Sequence, residues 1–162
     1  MLSTYIQKLV HYRYWANHRI WPYVLQLTET QFTQPSDYSI GSVKDQLVHM
    51  LWAEEIWLNR ITGIDERPTY EPEDFPDAAS IQAHWDKIEQ RMLHWVDNAT
   101  EADLTQTFSY TNAQNQRFEN TVLDTLTHVV NHGTDHRAQI LALMHRLGAE
   151  TLSQDMILFY RG

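Results

Sequence analysis

Apolar residues recur every three or four positions along four long stretches of the chain, the spacing that places them on one face of an α-helix. The first stretch runs from Leu2 to about Leu27, with Leu2, Ile6, Leu9, Arg13, Ala16, Ile20 and Val24 on a mostly apolar stripe. Ser3 is placed to cap it, and Pro22, which lacks a backbone donor, predicts a kink or a restart. The second runs from Val43 to Ile61 behind Ser42-x-x-Asp45 and ends at Gly63. Val43, Leu47, Met50, Trp57 and Ile61 make one side of its apolar face; His49, Trp52, Ala53 and Ile56 make the other. The third, Ala78 to Asn98 behind Asp77, carries Ile81, Trp85, Ile88, Met92 and Trp95, while His84 and His94 fall off that line and are predicted to be solvated. The fourth, capped by Asn120 or Thr121 and reaching Leu147, carries Leu126, Val129, Ile140, Leu143 and Leu147.

The segments between these stretches break the helical period. Thr28 to Gly41 is polar and reads as a connection. Residues 62 to 77 hold Pro68, Pro72 and Pro76 and six acidic side chains, too long for a simple turn, and predict a crossover or a segment lying over a site. In a plain up-down bundle the second and fourth helices are diagonal; a crossover here changes their order and direction. From Leu104 to Asn120, Phe108 and Tyr110 alternate with polar residues and Asn112 to Asn115 offers a turn, so a small hairpin is expected. The apolar run Met156 to Tyr160 is expected to pack on the bundle. No internal repeat is visible. The prediction is an all-α fold: one domain over residues 1–162, a four-helix bundle with a long crossover between the second and third helices.

Two polar residues interrupt the fourth stripe. His132 and His136 complete the series 129, 132, 136, 140, 143, 147, where leucines would be expected. A buried imidazole needs partners for both ring nitrogens, and two at i, i+4 are spaced to grip one metal ion from one helix. Such a pair also occurs as ordinary core histidines bonded to carbonyls, so it requires a third ligand from elsewhere; His49, on the broad apolar face of the second helix, is the candidate. His128 lies one turn before His132. The zincin pattern is excluded, because Gly133, not Glu, follows His132.

Charge and composition narrow the chemistry. The formal net charge is −9 and no basic run occurs, which argues against a nucleic-acid surface. There are no cysteines, so a metal would be held by His and carboxylates, and the chain has no thiol nucleophile of its own. The start has no secretory signal pattern and no apolar run is long enough to span a membrane, so a soluble cytoplasmic protein is expected.

With His49, His132 and His136 identified, the chain resembles the DinB/YfiT-like family of metal-binding four-helix bundles over nearly its whole length. YWANHRIW (Tyr14–Trp21) looks like the family's first-helix segment. HMLWAEEIWLNRITG (His49–Gly63) is similar to its second-helix motif, with Glu54, Trp57 and Arg60 in matching places. THVVNHGTDHRAQIL (Thr127–Leu141) resembles its fourth-helix motif, followed by the closing DMILFYR. The order and spacing of these pieces carry the resemblance. Ala138 stands where the family often has Gly, and Asp135 where it often has His; neither touches the three histidines.

The resemblance implies a divalent metal bound by His49, His132 and His136. Three imidazoles leave coordination positions open, as a catalytic site requires, and suit zinc or nickel. Members of the family include S-transferases that use low-molecular-weight thiols such as bacillithiol, mycothiol or glutathione. The function expected by resemblance is transfer of a small thiol to an electrophilic small molecule. A metal-dependent hydrolase and a non-catalytic metal-binding stress-response protein are the alternatives. Arg60, Arg137 and Arg13 are candidates to meet a thiol's carboxylates. Glu54 and Arg137 are a candidate pair near the site, and Glu54 or His128 a candidate base for hydrolysis. A homodimer is expected from the aromatic excess on the first helix.

Overall fold

The computed structural model describes residues 1–162. Its helices are α1 (Leu2–Val24), α2 (Glu29–Thr33), α3 (Val43–Thr62), α4 (Ala78–Asn98), α5 (Glu101–Thr105), α6 (Val122–Arg146) and α7 (Met156–Arg161), with a hairpin β1 (Thr107–Thr111) and β2 (Arg117–Thr121) before α6. The four long helices are those predicted by periodicity, and a single-turn 3₁₀ segment at Pro72–Asp74 interrupts the connection after α3.

Local chemistry sets most of the boundaries. Ser42 and Asp45 satisfy each other's backbone N–H at the start of α3, and Gly63 ends it in the left-handed conformation at φ 72°. Asp77 accepts from the Ser80 N–H to start α4, and Thr121 accepts from the Asp124 N–H to start α6. The first helix departs from expectation at both ends. Ser3 does not cap it; its hydroxyl donates to Glu101 of α5 at 3.1 Å. Pro22 starts no new helical segment: α1 stops at Val24, so the proline lies in the last turn.

The stripes pack into one contiguous core. On α4, Ile81, Trp85, Ile88, Met92 and Val96 are buried, each contributing about 1.5–3 kcal/mol. Val96 fills the end of this stripe and Trp95 is only half-buried. The hairpin pairs Tyr110 with Phe118 and Thr107 with Thr121 in antiparallel register. The C-terminal segment does pack back: Phe159 lies 5.9 Å from Tyr12 and 5.8 Å from Trp15.

Helix directions follow from side-chain pairs. On α1 and α4, Gln7 reaches Val96 and His18 reaches Glu89, so these helices are antiparallel. On α3 and α6, Gln46 meets Gln139 and Trp57 meets His128, again antiparallel. Neighbours α3 and α4 instead run parallel, with Glu54 against Trp85 and Asn59 against Arg91. The order is therefore up, down, down, up. Two consecutive parallel helices require a connection that climbs back along the bundle, and residues 63–77 do so: Asn59 donates to the Glu66 carbonyl at 3.0 Å and Trp52 to the Pro68 carbonyl at 2.9 Å. The crossover makes α3 and α6 neighbours, which brings their histidines face to face. No helix is long and apolar enough to cross a membrane.

Candidate metal centre

On the facing surfaces of α3 and α6, His49, His132 and His136 each present one ring nitrogen, all within 4.8 Å of one another. The ring centres lie 5.2 Å (His49–His132), 4.8 Å (His49–His136) and 4.3 Å (His132–His136) apart. His49 and His132 bring their Nε2 atoms to 3.2 Å. Two nitrogens ligating one zinc tetrahedrally at 2.0–2.1 Å stand about 3.3 Å apart, so this pair already has a ligand spacing.

The rings are held neutral. Burial, then the nearby His136, lowers His49 to about 4; burial, then His136 and His49, lowers His132 to about 3. His136 is also lowered, chiefly by burial. Neutral imidazoles are the form that ligates metal.

His136 is oriented from behind. Its Nδ1 lies 2.6 Å from Oε1 of Gln46, a side chain wholly buried in α3. Gln46 Nε2 donates to Gln139 Oε1 at 3.2 Å, and Gln139 Nε2 donates to the Asp135 carboxylate at 3.2 Å. An ionised carboxylate only accepts, which fixes the direction of both amides. Gln46 Oε1 must therefore accept from His136 Nδ1–H, leaving the Nε2 lone pair free to face the other two rings. Sequence reasoning passed over Gln46; its signal was a glutamine one turn before His49 amid apolar neighbours.

Other candidates are placed differently. His128 stands next to the cluster, its ring 5.6 Å from His132 and 5.5 Å from Trp57, but it is exposed and outside the converging set. Trp52 stacks against His49 at 6.0 Å. Glu54 does not pair with Arg137. Its carboxylate bonds to Arg13 Nη2 at 2.6 Å, Trp85 Nε1 at 2.5 Å and the Tyr14 hydroxyl, with no solvent exposure of its side chain. Arg137 turns to Gln154 (2.8 Å), Asn17 (3.1 Å) and Thr134 (3.0 Å). Which partner faces Glu54 depends on how the helices rotate against one another, which a single helix's periodicity leaves open. Gly133 has a packing reason: a Cβ there would lie 2.8 Å from Arg13 Nε. His84, predicted to be solvated, is half-buried and meets the Tyr70 hydroxyl at 2.7 Å, because the returning connection lays Tyr70 against α4.

Fold and site together define a four-helix bundle with a three-histidine centre of the kind that holds a metal ion. The model of the DinB family matches residues 1–162, and the chain belongs to the DinB family. It is 24% identical over 165 residues to protein DinB of Bacillus subtilis (strain 168), covering 98% of this chain and 95% of that protein. Its fold is similar to that of a DinB-like protein from Bacillus cereus ATCC 10987, with TM-score 0.67, 17% identity, and 88% of this chain and 91% of that one covered. It is also similar to YfiT from Bacillus subtilis, with TM-score 0.56, 16% identity, and coverage of 92% and 87%. YfiT is described as a probable metal-dependent hydrolase with an unusual four-helix bundle topology.

Proposed function

We propose that this protein is a divalent-metal-dependent enzyme that transfers a small thiol to an electrophilic small molecule. His49, His132 and His136 are the ligands and zinc or nickel is the ion, as nitrogen donors prefer. A divalent ion held by three imidazoles supplies open coordination positions and lowers the pKa of a thiol or water that occupies one.

The observation that carries the thiol reading is the placement of Glu54. A water nucleophile calls for a positioned proton acceptor, and the one carboxylate in sequence range of His49 on the inner face of α3 is tied to Arg13, Tyr14 and Trp85. The converging set contains histidines alone. A thiol is acidic enough to ionise without such a base, and the chain contains no cysteine, so the thiol must be a cosubstrate. Gln46 keeps the His136 lone pair aimed inward, and Trp52 closes the side of the site next to His49.

Hydrolysis is the second reading, favoured by His128. Its ring beside His132 is accessible and lowered by burial, so at neutral pH it is a free base that can accept a proton from water. The description of YfiT points the same way. An assay separates the two. Metal-loaded protein receives a chromogenic electrophile with bacillithiol, mycothiol, glutathione or cysteine in turn, beside a thiol-free control. Metal-dependent conjugation with one of the thiols is expected. Equal turnover without thiol would replace this reading with the hydrolase, and loss of that turnover in His128→Ala would identify its base.

A further inference from the structure

The seam between α3 and α6 continues past the three histidines to an arginine with no acidic partner. His49, Ala53, Ile56 and Arg60 are spaced four, three and four residues apart, so they lie on one line of α3. Opposite them, His132 gives way to His128, whose ring meets Trp57, and Trp57 meets Tyr110 of the hairpin at 5.0 Å. The Arg60 guanidinium lies over Trp57 at 4.5 Å and over Tyr110 at 4.2 Å. Beyond it opens a cleft of about 420 Å³ between the end of α3, the start of the crossover and β1, with Arg60 and Arg67 in its wall. A smaller space of about 250 Å³, bordered by Trp57, Tyr110, Asp124 and His128, shares Tyr110 with this cleft.

Arg60 is half-buried, yet its side chain makes no hydrogen bond or ion pair. The ion pairs of the protein involve Arg13 and Arg91 but neither Arg60 nor Arg67. Burial, and the like charge of Arg67, work against the Arg60 charge, with Tyr110 opposing them. Two aromatic rings lie against the guanidinium, and its N–H donors have no partner in the chain. A fixed planar fork of this kind matches a carboxylate, which accepts two parallel N–H bonds.

We propose that Arg60, assisted by Arg67, is an anion subsite that binds a carboxylate of the small molecule whose other end reaches the three-histidine centre. This rests on the proposed function for what happens at the far end, but not for the subsite itself. Asp65 and Glu66 also border the cleft and balance the two arginines, which favours a singly charged carboxylate over a doubly charged phosphate. His49 and Arg60 are eleven residues apart on α3, about 16 Å along the axis. Allowing for the reach of both side chains, the ligand has the length of an extended tripeptide, about 10 Å.

The test is titration of the purified protein with glutarate, followed by NMR at the Trp57 indole N–H and the Arg60 Nε–H. Neutral glutaramide and inorganic phosphate are the comparison ligands. Saturable shifts at both positions are expected with glutarate and not with glutaramide. Arg60→Gln should weaken glutarate roughly ten- to hundredfold, the loss of a charge-assisted hydrogen bond. Arg60→Lys, which keeps charge without the fork, should fall between, and Arg19→Gln, removing a cation stacked on Trp15 at 4.8 Å, should change nothing. Absence of saturable glutarate binding, or binding unchanged in Arg60→Gln, overturns the subsite; tighter binding of phosphate overturns its assignment to a carboxylate. The titration uses neither thiol nor turnover. Glutarate binding without activity would therefore count against the proposed reaction and leave the subsite standing.

Discussion

Two polar clusters sit inside this bundle, only one or two helical turns apart, and they are built on opposite terms. Around Glu54, opposite charges and neutral donors close on one another: the carboxylate meets Arg13, Tyr14 and Trp85. Burial works to lower the Arg13 pKa, and the Glu54 charge, together with the smaller effects of Tyr14, the Glu54 hydrogen bond and Glu89, more than reverses it. Burial and then Glu54 raise Tyr14 well above its ordinary value, so its hydroxyl stays protonated and donates. In the other cluster, three imidazoles converge; His136 disfavours protonation of His49 and His132, and His49 disfavours protonation of His132. Beyond the contact between His49 and His132, nothing in the chain answers their inward nitrogens. A buried carboxylate met by a counter-charge and two neutral donors holds helices together; imidazoles whose ring nitrogens converge with no charged partner among them are arranged as ligands for a cation.

The largest expected effect breaks the first cluster. Glu54→Ala leaves Arg13 buried without its counter-charge, and Arg13 Nη1 already lacks a hydrogen-bond partner. Breaking a buried ion pair from one side costs about 3–5 kcal/mol, which denaturant unfolding would show. A loss under 1 kcal/mol would mean that Glu54 is not structural. The metal-binding histidines should remain competent in whatever fraction stays folded.

A smaller effect comes from the support behind the second cluster. Gln46→Leu removes the acceptor that fixes His136, and metal affinity should fall about 10- to 100-fold. Competition with a chromogenic chelator measures it, with the helical signal unchanged. Unaltered affinity would show that His136 needs no such orientation.

The smallest effect is on acid stability. His49 and His132 have folded values of about 4 and about 3, below the ordinary 6.5. Between those values and 6.5 the unfolded chain binds more protons, so stability of the metal-free protein falls as pH drops below about 6.5. The fall ends near pH 4 for His49 and near pH 3 for His132, and above pH 6.5 these two groups contribute no slope. Both rings are partly exposed, and solvent softens the effect. His49→Gln combined with His132→Gln should flatten that acid limb in thermal melts; an identical limb would contradict the neutral-cluster description.

How much of this was legible in the sequence varies with the kind of information needed. Ser42, Gly63, Asp77 and Thr121 mark helix ends because capping depends on residues close in sequence, and all four were readable. The inward faces of His49, His132 and His136 follow from periodicity alone. The short helices α2 and α5 also had local signals, Thr28-x-x-Gln31 and Thr100-x-x-Asp103, that went unread. What could not be read was anything set by the rotation of one helix against another: that Arg13 and not Arg137 meets Glu54, or that Gln46 backs His136. Pro22 starts no new segment because α1 stops two residues later, which the apolar stripe running on to Leu27 did not signal.

The central claim, that the three-histidine cluster is a metal site, is tested most directly by metal content. Protein purified without a nickel column, dialysed against buffer with trace divalent ions and analysed by inductively coupled plasma mass spectrometry, should carry one equivalent of a divalent metal per chain. His49→Ala, His132→Ala and His136→Ala should each lose most of it, and His132→Ala combined with His136→Ala should lose all of it while Glu54→Gln retains it. Full metal content in the double variant, or a wild-type protein that takes up no zinc or nickel when offered them, would contradict the account.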